Sequence, residues 1–327
     1  MKVLLILKHR FSLWTAPEWL PARLRSAFPQ HEFVFRDSYH GAEPDLSDAE
    51  VAITWSLRPD QLQFAKKLRW IHSPAAAVHQ LMFPEFLASN ILLTNAREVH
   101  APVVAEHVIA LIFALAKEIP RCVRMQQHHT WGQQILWDDP PRPRELLGAT
   151  LGLVGLGSIG RQVAQRAAAL GMRVVAVREH PEKPCEGVTS IYGPGALHIL
   201  LAESDYVVLA APVTPATENL INAERIAQMK PSACLINVGR GPLIDDVALV
   251  HALRQRTIAG AALDVFDQEP LAAGSPYWDL DNVLITPHTA ALTEKLWERH
   301  FVQISENLRR YAANEPLLGL VDKKQGY

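Results

Sequence analysis

Short apolar runs alternate with stretches of helical spacing along almost the whole chain. In the first 95 residues the runs are VLLIL (3–7), EFVF (32–35), VAITW (51–55), RWIHS (69–73) and ILLT (91–94). Between them, 19–28 and 59–68 carry helix-like spacing. Strands this short, each followed by a helical stretch, predict a parallel sheet covered by helices. The alternation resumes from 149 to about 286, with further runs at 173–177, 207–210, 234–238, 261–265 and 283–286. A last helix over about 291–313 follows the completed second sheet, so its expected place is back on the first.

Two segments break the alternation. HAPVVAEHVIALIFALAKEIPR (100–121) is apolar on nearly every face, as a helix buried between layers or at an interface would be. Pro102 suits its first turn and Pro120 its end. The next segment, 122–148, is rich in aromatics and prolines and has no clear period. It predicts a long loop, expected to reach a second subunit.

Length and composition narrow the class. The 327 residues suit about two domains, and 49% hydrophobic, 20% charged and a net charge of −2 are ordinary for a globular protein. Nothing here calls for nucleic acid or an acidic membrane as partner. The run at 3–7 is too short for a signal-peptide core, and no apolar run approaches the ~18 residues of a membrane span. Cys122, Cys185 and Cys234 lack any C-x-x-C spacing, so reduced thiols in a cytoplasmic protein are expected. The 14 histidines show no metal-ligand spacing; His128 and His129 are adjacent and cannot share a helix face. No metal site is expected.

LGLVGLGSIGRQVA (151–164) supplies the first chemistry. Gly155, Gly157 and Gly160 stand in G-x-G-x-x-G spacing between an apolar run and an amphipathic one, the context a dinucleotide site requires. One glycine makes a tight turn, the next admits a pyrophosphate, and the third lets the helix pack on the strand. The pyrophosphate then meets the positive end of the helix. At the end of the next strand an acidic residue would accept hydrogen bonds from the ribose 2′-OH of NAD. This chain has Arg178 there, which cannot accept and would favour a 2′-phosphate, unless it is simply a solvated surface arginine. NADP is therefore the expected cofactor, with NAD the alternative.

Three loops at the ends of later strands offer reacting groups, because open α/β sheets bind ligands at those ends. In INVGRGPLIDD, Arg240 lies between two glycines and can present a planar fork to a carboxylate, or else cap the next helix. In ALDVFDQEPL, Asp264 closes a strand and Glu269 precedes a proline; solvated turn acids are the alternative. In LITPHTAAL, His288 follows a strand and a proline. Histidine suits proton transfer near neutral pH, although a loop histidine can equally be structural.

GLGSIGR, NVGRGPLID, ALDVFDQEPL and TPH, in this order and spacing, resemble the D-isomer-specific 2-hydroxyacid dehydrogenases, including glyoxylate/hydroxypyruvate reductases. RWIHSPAAAVHQL resembles that family's substrate loop, TNAREVHAPVVAEHV its interdomain helix, and AAPVTPATENLI a cofactor-domain segment holding Pro212. The resemblance implies two Rossmann-like α/β domains with the active site in the cleft between them. The substrate domain would be flavodoxin-like and discontinuous, 1–98 with 290–327; the dinucleotide-binding domain would span 99–289.

Roles follow by position. Arg240 would bind the substrate carboxylate and carbonyl; His288 would be the general acid in reduction; Glu269 would pair with His288 and favour its protonated form. Asp264 would lie near the nicotinamide, and backbone N–H groups at Ala76 and Ala77 would hold the carboxylate. Ser158, Ile159, Pro212, Val238 and Gly239 would line the cofactor. A homodimer through the interdomain helix and the 122–148 arm is implied as well.

The chain departs from the family's pattern at Ala75, Ala77 and His79 in the substrate loop, at Asp267, and at Arg178. The expected activity is hydride transfer between NADPH and a small 2-oxo acid. A dinucleotide-sensing corepressor-type protein and a formate- or phosphite-type dehydrogenase are the alternatives.

Overall fold

The computed structural model describes residues 1–324. The chain divides into two compact units, one of Met1–His100 with the described residues from Thr293 on, the other Ala101–Leu292.

In the first unit, strands β1 (Lys2–Ile6), β2 (Glu32–Arg36), β3 (Val51–Thr54), β4 (Trp70–Ser73) and β5 (Leu92–Asn95) form a parallel sheet in the order β2-β1-β3-β4-β5. That is the flavodoxin-like order. The two-residue period of a strand assigns its side chains to two layers. Val3 and Leu5 pack with Leu20, Leu24 and Trp70, whereas Leu4 and Ile6 pack with Leu46, Phe86 and Leu93. The last helix, Leu296–Ala312, buries Leu296, Ile304 and Leu308 in the first of these layers.

The second unit holds β6 (Thr150–Val154), β7 (Arg173–Val177), β8 (Ser190–Tyr192), β9 (Tyr206–Leu209), β10 (Cys234–Asn237), β11 (Gly260–Leu263) and β12 (Val283–Ile285). All pair in parallel, in the order β12-β11-β10-β9-β6-β7-β8. The order reverses between β6 and β9, which is the switch point where such sheets bind dinucleotides. Tyr206 and Val208 face one core and Val207 and Leu209 the other.

The segments between the domain patterns need correction. The helix Arg97–Ala116 has 20 residues and is long and apolar enough to cross a membrane, contrary to the expectation from run length. Half of it is buried, and Val104, Ala105, Val108 and Ile112 fill the core beside Leu153 and Val163. Pro120 does not end this helix. Glu118 turns left-handed (φ 55°), and Pro120 opens a second helix, Ile119–Gln127, where its missing N–H is no loss. Gln133–Asp138 is helical too, so the expected long loop carries two helices. Its period is unreadable because neither helix buries a residue that could mark one face. Trp131 is 92% exposed and Trp137 61%.

Candidate active site

The turn after β6 shows what each fingerprint glycine is for. Gly155 sits at φ +96°, where a Cβ would also lie 2.8 Å from the Ala210 carbonyl. A Cβ on Gly160 would lie 2.2 Å from the Gly155 oxygen, so the helix Ser158–Ala169 could not seat against the strand. Gly157 differs. Its φ is −78° and a Cβ would meet nothing within 4 Å. Neither backbone nor packing requires glycine there, and the absent side chain leaves the helix N-terminus open to an approaching ligand. The turn therefore fits a dinucleotide pyrophosphate.

Arg178 follows β7 directly. Its Nε donates to the His180 carbonyl at 2.7 Å and a terminal nitrogen to the Lys183 carbonyl. Two of its five N–H donors thus hold the guanidinium at the strand end, and no carboxylate neutralises it there among the described ion pairs. Beyond β9, Pro212 accepts a hydrogen bond from Thr217 at 2.7 Å.

Three loops carry the candidate reacting residues. After β10, the wholly buried Asn237 clamps the turn: its Oδ1 accepts from Gly239 N–H at 3.0 Å and its Nδ2 donates to the Arg240 carbonyl at 2.9 Å. Val238 lies buried beside it. Gly241 brings the next loop in, since a Cβ there would lie 2.0 Å from the Phe266 carbonyl carbon. Burial pushes the Arg240 guanidinium below its ordinary range while the nearby Glu269 raises it.

Glu269 uses both oxygens. Oε1 accepts from Phe266 N–H at 3.0 Å, and Oε2 meets His288 Nδ1 at 2.6 Å. A carboxylate only accepts, so Nδ1 carries the proton and Nε2 remains for a substrate. The two side chains are 35% and 47% exposed, open enough to be reached. His288 itself has φ 53°, a conformation costing a non-glycine residue about 1 kcal/mol. Its N–H donates to the carbonyls of Asp264 and Thr286, both at 2.9 Å, which hold it there.

Residues 109–290 match the family described as D-isomer specific 2-hydroxyacid dehydrogenase, NAD binding domain. The chain belongs to this family. A glycerate dehydrogenase of Methylorubrum extorquens is 34% identical over 308 residues, covering 91% of this chain and 95% of its own. Among solved structures, a D-isomer specific 2-hydroxyacid dehydrogenase of Xanthobacter autotrophicus Py2, in complex with NADPH and MES, is 32% identical with TM-score 0.84. It covers 100% of this chain and 99% of its own. An NADPH-dependent glyoxylate/hydroxypyruvate reductase of Sinorhizobium meliloti, in complex with NADP and sulfate, gives 28% and 0.83 at 100% and 99% coverage. The chain is therefore an NAD(P)-dependent oxidoreductase acting on 2-hydroxy acids.

Within this dehydrogenase, Glu269 and His288 are joined directly, and Arg240 lies near enough for the Glu269 charge to oppose the effect of its burial. Asp264, expected near the nicotinamide, is 1% exposed. Its Oδ1 accepts from Thr286 Oγ1 (2.6 Å) and Thr289 N–H (2.8 Å), and its Oδ2 from Ala290 N–H (3.1 Å). It builds the loop that carries His288.

Ala76 and Ala77 belong to the first unit, in the loop after β4. Asn95 Nδ2 donates to the Ala76 carbonyl at 2.7 Å, and Ala96 N–H to that of Ala75 at 3.1 Å. The N–H groups of Ala76 and Ala77 have no hydrogen-bond partner among the described residues. Sequence reasoning missed Asn237 and His107. The first carried a signal, a polar residue ending an otherwise apolar strand; the second stood unmarked in a helix apolar on nearly every face.

Proposed function

We propose that this dehydrogenase reduces small 2-oxo acids of the glyoxylate and hydroxypyruvate class with NADPH, using Arg240, Glu269 and His288. The 2.6 Å bond from His288 to Glu269 carries the reading, because it fixes one ring nitrogen and leaves the other available. The bound reduced nicotinamide supplies the hydride. Arg240 holds the substrate carboxylate with its guanidinium fork; the unpartnered N–H groups of Ala76 and Ala77 in the first unit are donors of the kind a carboxylate takes, as the family resemblance implies. As the carbonyl carbon gains the hydride, its oxygen becomes an alkoxide and takes the proton from His288 Nε2. The imidazolium that precedes this transfer is stabilised by Glu269; the neutral Nδ1–H tautomer follows it. Oxidation runs the same steps backwards, with His288 as base.

The finer assignments have their own support. Arg178 favours a 2′-phosphate, in keeping with the NADPH and NADP bound by the two relatives. Ser158 and Ile159 after β6, Pro212 after β9, and Val238 and Gly239 after β10 follow the strand ends where such sheets bind dinucleotides, which supports reading them as cofactor contacts. Ile119, Val123, Trp131 and Trp137 expose apolar surface on the arm, which suits a homodimer contact. Three free thiols fit a cytoplasmic setting.

The test is steady-state oxidation of NADPH and NADH with a panel of 2-oxo acids. Turnover with glyoxylate or hydroxypyruvate and a higher kcat/KM with NADPH are expected. No turnover with any 2-oxo acid overturns the proposal, and equal efficiency with both cofactors removes the role given to Arg178.

A further inference from the structure

The loop that carries His288 is held from a second side. His107, on the helix Arg97–Ala116, places its Nε2 3.1 Å from Thr286 Oγ1 and 3.6 Å from Asp264 Oδ1. Donor bookkeeping fixes the direction of each bond. The Thr286 hydroxyl has one proton, and it goes to Asp264 at 2.6 Å. Thr286 can then only accept from His107, so His107 is the Nε2–H tautomer. Burial lowers the His107 pKa, and Asp264 only partly opposes this, so the ring is neutral at neutral pH. The result is a directed chain: His107 N–H to Thr286 O–H to the Asp264 carboxylate, which also holds Thr289 and Ala290 by their N–H groups.

This chain brackets the proton donor. Thr286 lies two residues before His288 and Thr289 one residue after it, and the Asp264 carbonyl accepts the N–H of His288 itself. Because His288 is held at a positive φ, its orientation depends on its neighbours being fixed. Among the described residues, the hydrogen-bonding anchor from outside the two strand-end loops is His107.

We propose that His107 is a positioning residue for the His288 proton donor, acting through Thr286. The inference rests on the reading of His288 as general acid, so both are tested together. His107→Leu removes the donor at similar bulk, and His107→Gln keeps an N–H that can reach Thr286. Proton transfer is sensitive to misplacement of about 1 Å, which can cost about a hundredfold. His107→Leu should therefore lower kcat for glyoxylate reduction by about tenfold to a hundredfold. KM and the NADPH dissociation constant should stay within about threefold, and His107→Gln should recover most of kcat. The nitrogen-bound proton signal of the His288 ring, which reports its bond to Glu269, should move in His107→Leu and return in His107→Gln.

His288→Ala run alongside separates the two claims. If His288→Ala is inactive while His107→Leu turns over normally with an unmoved His288 signal, the positioning role is wrong. If His107→Leu loses thermal stability and kcat but His107→Gln fails to recover kcat, its effect is merely structural and the proposal fails. Near-normal activity in His288→Ala overturns the general-acid reading instead.

Discussion

Two carboxylate–imidazole pairs meet at the same strand-end loops, one of them completed by His107 from the helix Arg97–Ala116, and burial gives them different tasks. Glu269 and His288 are about one-third and one-half exposed, so His288 can meet a substrate and exchange a proton. Asp264 and His107 are 1% and 21% exposed, and their hydrogen bonds are directed into the protein. In the proposed reaction the same chemistry acts once as reagent and once as scaffold. Arg240 is the third residue of the proposed site, and its planar fork is what a carboxylate matches. Arg240→Lys should raise KM for glyoxylate at least about tenfold, read from initial rates, because a point charge cannot replace two-point contact. An unchanged KM would take the carboxylate away from Arg240. At the other end of the site, Arg178→Asp should reverse the ratio of kcat/KM for NADPH to that for NADH, measured in the same assay.

Among the elements, the glycine turn and the helix it opens separate what the fold needs from what a ligand needs. Gly155 and Gly160 are required by backbone angle and packing, whereas Gly157 faces open space. Gly157→Ala should leave the melting temperature of the ligand-free protein unchanged but weaken NADPH binding at least about tenfold, read by fluorescence titration, by obstructing the helix N-terminus. A fall in melting temperature with unchanged affinity would contradict this. The turn was legible in the sequence because strand, glycines and helix follow one another within twenty residues. The helix Ile119–Gln127 was not, because it exposes Ile119 and Val123 and opens on Pro120, which reads as a stop. Strand β8, three half-buried residues, was too short and too polar to declare a period. Gly241 could be read as flanking Arg240, but its packing on Phe266, which draws the arginine and glutamate loops together, needed coordinates.

At the scale of the whole molecule, both sheets and their parallel pairing were written in the alternation of apolar runs, since buried strands are apolar on both faces. What the alternation could not carry is which buried polar groups pair. His72 and His300 are fully buried in the first unit, and neither ring nitrogen of His300 has a hydrogen-bond partner among the described residues. Burial lowers the His72 pKa from 6.5 to about 3 and that of His300 well below 6.5. Below pH ~6.5 the unfolded chain takes up protons that the folded chain refuses, so stability is full above that pH and falls as pH drops. Between pH 7 and 5 the loss should be about 2 kcal/mol from His72, with His300 adding to it in the same direction, read by urea unfolding. His300→Leu should flatten that dependence; an unchanged slope would show that His300 titrates normally.

Proton donation by His288 is the step on which the proposed function turns. Its most direct test is the single-turnover rate of NADPH oxidation with glyoxylate in the wild-type protein and in His288→Ala. A rate at least about 100-fold lower in the variant, with NADPH affinity unchanged, is expected if His288 supplies the proton. A rate within about threefold of wild type would contradict it.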